Sequence, residues 1–130
     1  MIDYTQLVTK ADKIVAAKKL QWEAIKAKRD AVSANSVAVG SHWFESNQKS
    51  RMQQMRRAMM GVAAPAVQWK KLDNTFVTMT PALAGQILQA TEAHDTACFS
   101  VAESHRTAME ASADPMAYDY STGWPASYTP

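Results

Sequence analysis

Residues 67–83, VQWKKLDNTFVTMTPAL, decide the fold. The stretch reads as a strand, a tight turn, a second strand and a capped helix start. A three-residue loop of Leu72, Asp73 and Asn74 places Trp69 opposite Val77, Val67 opposite Met79 and Lys71 opposite Thr75. Val67, Trp69, Val77 and Met79 then share one face, and Gln68, Lys70, Phe76 and Thr78 the other. A two-residue loop at Asp73–Asn74 would instead oppose Gln68 to Met79 and Lys70 to Val77. Register follows polarity when one face is buried, so the three-residue loop is favoured. Asn74 then takes the left-handed position, which asparagine tolerates. The expected strands are 67–71 and 75–79, and Phe76 is left among polar neighbours.

Downstream, Thr80 is a helix cap and Pro81 occupies the first helical position, where its missing N–H costs nothing. This helix is expected to run to about Ala113. Leu83, Ile87, Leu88, Thr91, His94, Cys98, Val101, Ala102, His105 and Met109 trace its apolar stripe. Upstream, Ser46 or Asn47 caps a helix that ends at Gly61. Its Met52, Met55, Met59 and Val62 repeat at helical spacing and are expected to fill core rather than form an adaptable binding surface. Val37, Val39, Trp43 and Phe44 mark residues 36–44 as a strand bent near Gly40.

The first helix is expected over residues 4–32, with Tyr4, Leu7, Val8, Ala11, Ile14, Val15, Trp22, Ile25 and Val32 on one stripe. At ~1.5 Å per residue it is about 40 Å long, so it either projects in part, to pair with a partner or with copies of itself, or lies across the small sheet. The chain thus reads as an α+β protein: three main helices with a small antiparallel sheet of about three strands (36–44, 67–71, 75–79). Its parts are a leader helix (1–35), a compact α+β domain (36–117) and an aromatic tail (118–130). Disordered tails usually lack aromatics, so Tyr118, Tyr120, Trp124 and Tyr128 are expected to be docked, on their own domain or on a partner.

Composition narrows the functional classes. Hydrophobic residues at 47% and charged residues at 20% suit a chain that buries a core. Cys98 is the single cysteine, so no internal disulfide can form. No signal-peptide pattern and no membrane-length apolar run are present. Residues 1–71 hold 13 Lys and Arg against 5 Asp and Glu, and residues 72–130 hold 1 against 7. A basic first half can bind nucleic acid, but the aromatics do not interleave with the cations as stacking platforms would, so a basic helix packed near an acidic one is favoured.

His94 and Cys98 stand four apart on one helix, with His105 further along. Ligands on one helix do not close a tetrahedral site, and His42 is the only other candidate, so neither metal nor cofactor is expected. Mid-helix N–H groups offer Cys98 no oxyanion hole, and no nucleotide-binding or hydrolase motif is present, so no enzyme is expected.

Four stretches together carry a family resemblance: VGSHWFESNQKSRMQQMRRAM (39–59), VQWKKLDNTFVTMTPALAGQIL (67–88), HDTACFSVAESHRTAMEA (94–111) and STGWP (121–125). The chain resembles DUF4376, a domain of bacteriophage tail and tail-fibre proteins. The matching features are Trp43 and Phe44 before a helix opened by Ser50 and Arg51, then Val67, Trp69 and Lys70, the Asp73–Asn74 turn, Phe76 and Val77, Thr80, and a Gly123–Trp124–Pro125 close. Glu45, Ser46 and Asn47 depart from a pattern with aspartate after the aromatic pair. The resemblance implies a non-enzymatic protein that binds a trimeric tail fibre, as assembly chaperone or as accessory or tip subunit. It would act in the host bacterial cytoplasm during assembly, or in the virion tail. The alternative is a basic nucleic-acid-binding or regulatory module. The residues expected to contact the partner are Phe76, Lys70, Gln68, Tyr120, Trp124, Tyr128 and Trp22, with homo-oligomerisation through the N-terminal helix.

Overall fold

The computed structural model describes residues 9–63 and 65–130. The expected start of the first helix, with Tyr4, Leu7 and Val8, lies outside them. Helix α1 spans Lys10–Asn35. A reciprocal cap opens it: the Asp12 N–H donates to Thr9 Oγ1 (3.1 Å) and the Thr9 N–H to Asp12 Oδ2 (3.3 Å). Of its residues, Gln21, Ile25 and Val32 are buried. None of residues 9–20 is buried, although Ile14, Ala17 and Lys18 are half-buried.

Residues 36–44 do not form one bent strand. They fold back as a hairpin, β1 (Val37–Val39) against β2 (His42–Phe44), with Val39 paired to His42. Gly40 turns the chain with φ +60°, and Ser41 has no positive φ. Glycine at the first central position is what this two-residue turn requires. Helix α2 spans Gln48–Met60, and Asn47 caps it by accepting the Ser50 N–H (2.8 Å). A short 3-10 turn, Gly61–Ala63, follows.

The second hairpin has the expected register. β3 (Val67–Lys70) and β4 (Phe76–Met79) pair Val67 with Met79 and Trp69 with Val77. Asn74 has φ +68°. Asp73 Oδ1 accepts from the Thr75 N–H (2.9 Å) and hydroxyl (2.6 Å), which holds the loop and lowers the Asp73 pKa. The fold is α+β with three helices, and its strands form two separate two-stranded sheets rather than one of three. One backbone bond links the hairpins: the Leu72 N–H donates to the Trp43 carbonyl (3.1 Å).

Helix α3, Pro81–Glu110, is the spine. Thr80 Oγ1 accepts the Leu83 N–H (3.1 Å), as a cap before proline should. Its buried residues, Ala84, Ile87, Thr91, Cys98, Ala102, His105 and Met109, keep three-and-four spacing along one stripe. The stripe serves two apolar clusters. At the first end, Ala84 and Ile87 meet Val37, Phe44 and Met79, with Val67, Trp69 and Val77 packed alongside. At the other, Ala102 and Met109 meet Ile25 of α1, with Trp22, Tyr118, Tyr120 and Trp124 around them. Helix α1, the body and the tail are therefore joined by shared core through Ile25 and Trp22 on one side and Tyr118, Tyr120 and Trp124 on the other.

Candidate protein-docking surface

A polar knot separates the two clusters. Arg51 of α2 holds Asp95 of α3 in a two-point pair, Nη1 to Oδ2 at 2.6 Å and Nη2 to Oδ1 at 2.9 Å. Its remaining donors reach the Ser46 carbonyl and the Ser33 carbonyl and hydroxyl. The Ser33 hydroxyl donates to Asp95 Oδ1 at 2.6 Å. Burial pushes the Asp95 carboxyl up, but the hydrogen bonds from Arg51 and Ser33 and the Arg51 charge outweigh it and hold the pKa below the usual value.

This knot explains why α2 is turned opposite to its apolar pattern. Ser50 and Gln54 are buried and Arg51 is half-buried on the inward side, where Gln54 Nε2 also donates to the Glu45 carbonyl (3.3 Å). A residue two positions along a helix lies about 200° around it, so facing Ser50 inward points Met52 outward. Met52, Met55 and Met59 are 56%, 50% and 80% exposed, and Met60 and Val62 are exposed beside them. The expectation that the methionine stripe fills core is overturned: the inner side of α2 is specified by hydrogen bonds, which a hydrophobicity pattern cannot register.

The outer face of the second hairpin is polar around one ring, as read from register. Phe76 is 61% exposed and stands directly across from Lys70. Gln68 Nε2 donates to Thr78 Oγ1 (3.0 Å) beside them.

The other expected contact residues are engaged within the chain. Trp22 lies half-buried at the seam of α1, α3 and the tail, with the Arg106 guanidinium 4.8 Å from its ring. Tyr120 and Trp124 join the same cluster, and Trp124 Nε1–H donates to the Tyr120 carbonyl (2.7 Å). Tyr128 stacks at a tilt against Trp43 (6.4 Å), and its N–H donates to Ser36 Oγ (2.8 Å). Of the two expected resting places for the tail, it takes its own domain. Of the expected contact residues, Phe76, Lys70 and Gln68 stay exposed, as do the α2 methionines, which were not among them.

The histidines are also committed. His94 Nε2–H donates to the Val32 carbonyl (3.0 Å). His105 Nε2–H donates to the Thr122 carbonyl (2.7 Å), which leaves Nδ1 to accept from the Tyr118 hydroxyl (2.7 Å). Cys98 is buried, and burial pushes its thiol pKa up, away from the thiolate a nucleophile needs. Among the described residues no group of three or more His, Cys, Asp or Glu side chains could hold a metal ion, and no helix is long and apolar enough to cross a membrane.

The molecule is thus a small α+β protein that exposes four methionines on α2 and Phe76 on the second hairpin, with Val15, Leu20, Phe99 and Met116 exposed elsewhere. It belongs to the DUF4376 family, a domain of unknown function, which it matches over residues 16–122. No curated protein and no solved structure matches the chain.

Proposed function

We propose that this chain is a non-enzymatic binding protein of a bacteriophage tail, an assembly chaperone or accessory subunit that holds the end of a trimeric tail fibre in the host cytoplasm. A role as a tip subunit kept in the virion uses the same surface. The observation that carries the reading is the outward methionine face of α2. Fully burying one such side chain is worth about 1.5–3 kcal/mol, so leaving several in water favours any partner that covers them. Methionine side chains adapt to irregular surfaces, and α2 contains cations and no carboxylate. Phe76, ringed by polar groups on the outer face of the second hairpin, adds an aromatic anchor. Unassembled fibre ends are rich in strand edges that aggregate, and a small partner that covers them is physically sensible.

The test is a pull-down with the C-terminal segment of a trimeric tail-fibre protein from a phage genome that encodes this chain. The expected result is a complex that survives an increase from ~0.1 M to ~0.5 M salt and is lost in a Met52→Glu/Met55→Glu variant. A chain that ignores the fibre and instead retains DNA, with affinity falling steeply in salt, would establish the basic nucleic-acid reading in its place.

A further inference from the structure

We infer that the outer edge of β3 takes an extended segment of the partner as an additional strand, in the cleft between β3 and α2. This rests on the reading of the chain as a polypeptide-binding protein and specifies how it binds. In an antiparallel pair the backbone groups of alternate residues point away from the partner strand. The Lys71 N–H bonds to the Thr75 carbonyl (2.8 Å), so Lys71 and Trp69 face β4. The N–H and C=O of Gln68 and Lys70 therefore point to the opposite edge. Among the described residues no hydrogen bond engages them, whereas Leu72, next in the same row, donates to the Trp43 carbonyl.

The row thus already accepts strand-like backbone at one position. Beyond Phe44 the chain leaves to form α2, and the next two positions look onto a cleft of about 410 Å³. Ser50 and Gln53 form its helix wall, and Gln68, Trp69 and Lys70 its strand wall. The cleft continues past Arg56 and Met60, still against Trp69. Arg57 closes that end by donating to the Pro65 carbonyl. Between the two closures β3 offers four residues, about 13 Å of strand.

An exposed edge with unpaired donors and acceptors, walled by a helix, fits extended backbone better than any compact ligand. The side chains define the segment further. Lys70 and Arg56 are exposed and form no ion pair among the described residues. Glu45 at the cleft is engaged by Asn47 Nδ2 (3.2 Å) and Ser50 Oγ (3.3 Å). The segment is therefore a β-prone one that presents an apolar side chain to Trp69 and Met60 and carboxylates to Lys70 on one face and Arg56 on the other.

The test uses the full chain and the fibre segment named above. Hydrogen exchange should slow across 67–72 in the complex. Gln68→Pro removes an edge N–H without taking a bond from β4, and should weaken binding by about tenfold or more. Gln53→Trp, which fills the cleft from the helix side, should do the same if the proline variant fails to fold. A complex that forms with exchange at 67–72 unchanged and both variants binding as wild type overturns the added strand and leaves the methionine contact standing. Protection of 67–72 in the chain alone, rising with its concentration, also overturns it by making a second copy the occupant. Absence of any complex with the wild type overturns this inference together with the function it rests on.

Discussion

Arg51 makes five hydrogen bonds that tie α1, α2 and α3 at one point. Replacing it leaves the Asp95 carboxylate and two carbonyls without these donors. Both side chains of the pair keep partial access to water, at 25% and 33%, so the loss is smaller than for a sealed pair. Arg51→Met is expected to cost about 2–3 kcal/mol in urea unfolding. The acid limb follows from Asp95. Its pKa in the fold lies below the ordinary value of 3.8, so its contribution is complete above that value and is lost as pH falls through the lower folded one. Asp95→Asn should therefore be less stable than wild type at neutral pH, with the gap closing below about pH 4. A constant gap from neutral to acid pH would show that the charge of Asp95 contributes nothing. Cys98 gives a second residue-scale test. Buried and with its pKa raised, it should react with an aromatic disulfide reagent only as the chain unfolds.

At the scale of elements, the two hairpins separate what a sequence states from what it conceals. The register of β3 and β4 was legible because polarity alternates and the loop contains an asparagine able to take positive φ. The β1–β2 hairpin was not, because three-residue strands are too short for alternation to show and Gly40–Ser41 reads equally well as a bend. Gly40→Ala should cost about 1–2 kcal/mol although a Cβ there meets nothing within 4 Å, because the cost is backbone conformation alone. Helix α2 was legible as a helix and misread in its facing. That error can be measured. Met52→Gln and Met55→Gln should each change stability by less than ~0.5 kcal/mol, as exposed residues do, while Ile87→Ala in the first cluster should cost about 2–4 kcal/mol. A large loss from the methionine variants would put them back in the interior. Phe76 was found from register alone, whereas the α2 face needed knowledge of where Arg51 points.

For the whole molecule, the tail decides how independent the proposed docking surface is from the fold. A tail docked only on a partner could be removed with the domain intact and only that contact weakened. The contacts argue otherwise. The Thr122 carbonyl accepts from His105, Trp124 covers the Ile25–Ala102–Met109 cluster, and the Tyr128 N–H bonds to Ser36 between α1 and β1. The tail thus crosses from the second cluster to the first hairpin and closes the molecule along α1. Half-burial of Trp124 alone is worth roughly 2 kcal/mol, scaled down from the ~3–5 kcal/mol of a fully buried aromatic. With the His105 and Ser36 bonds, deletion of 119–130 should cost about 3–5 kcal/mol and lower the Tm by roughly 10–20 °C for a chain of this size. The calorimetric melt should broaden as α1 loses its hold on α3. If the truncated chain melts like the full one, the tail is a passenger on the fold, and its rings become available to a partner after all.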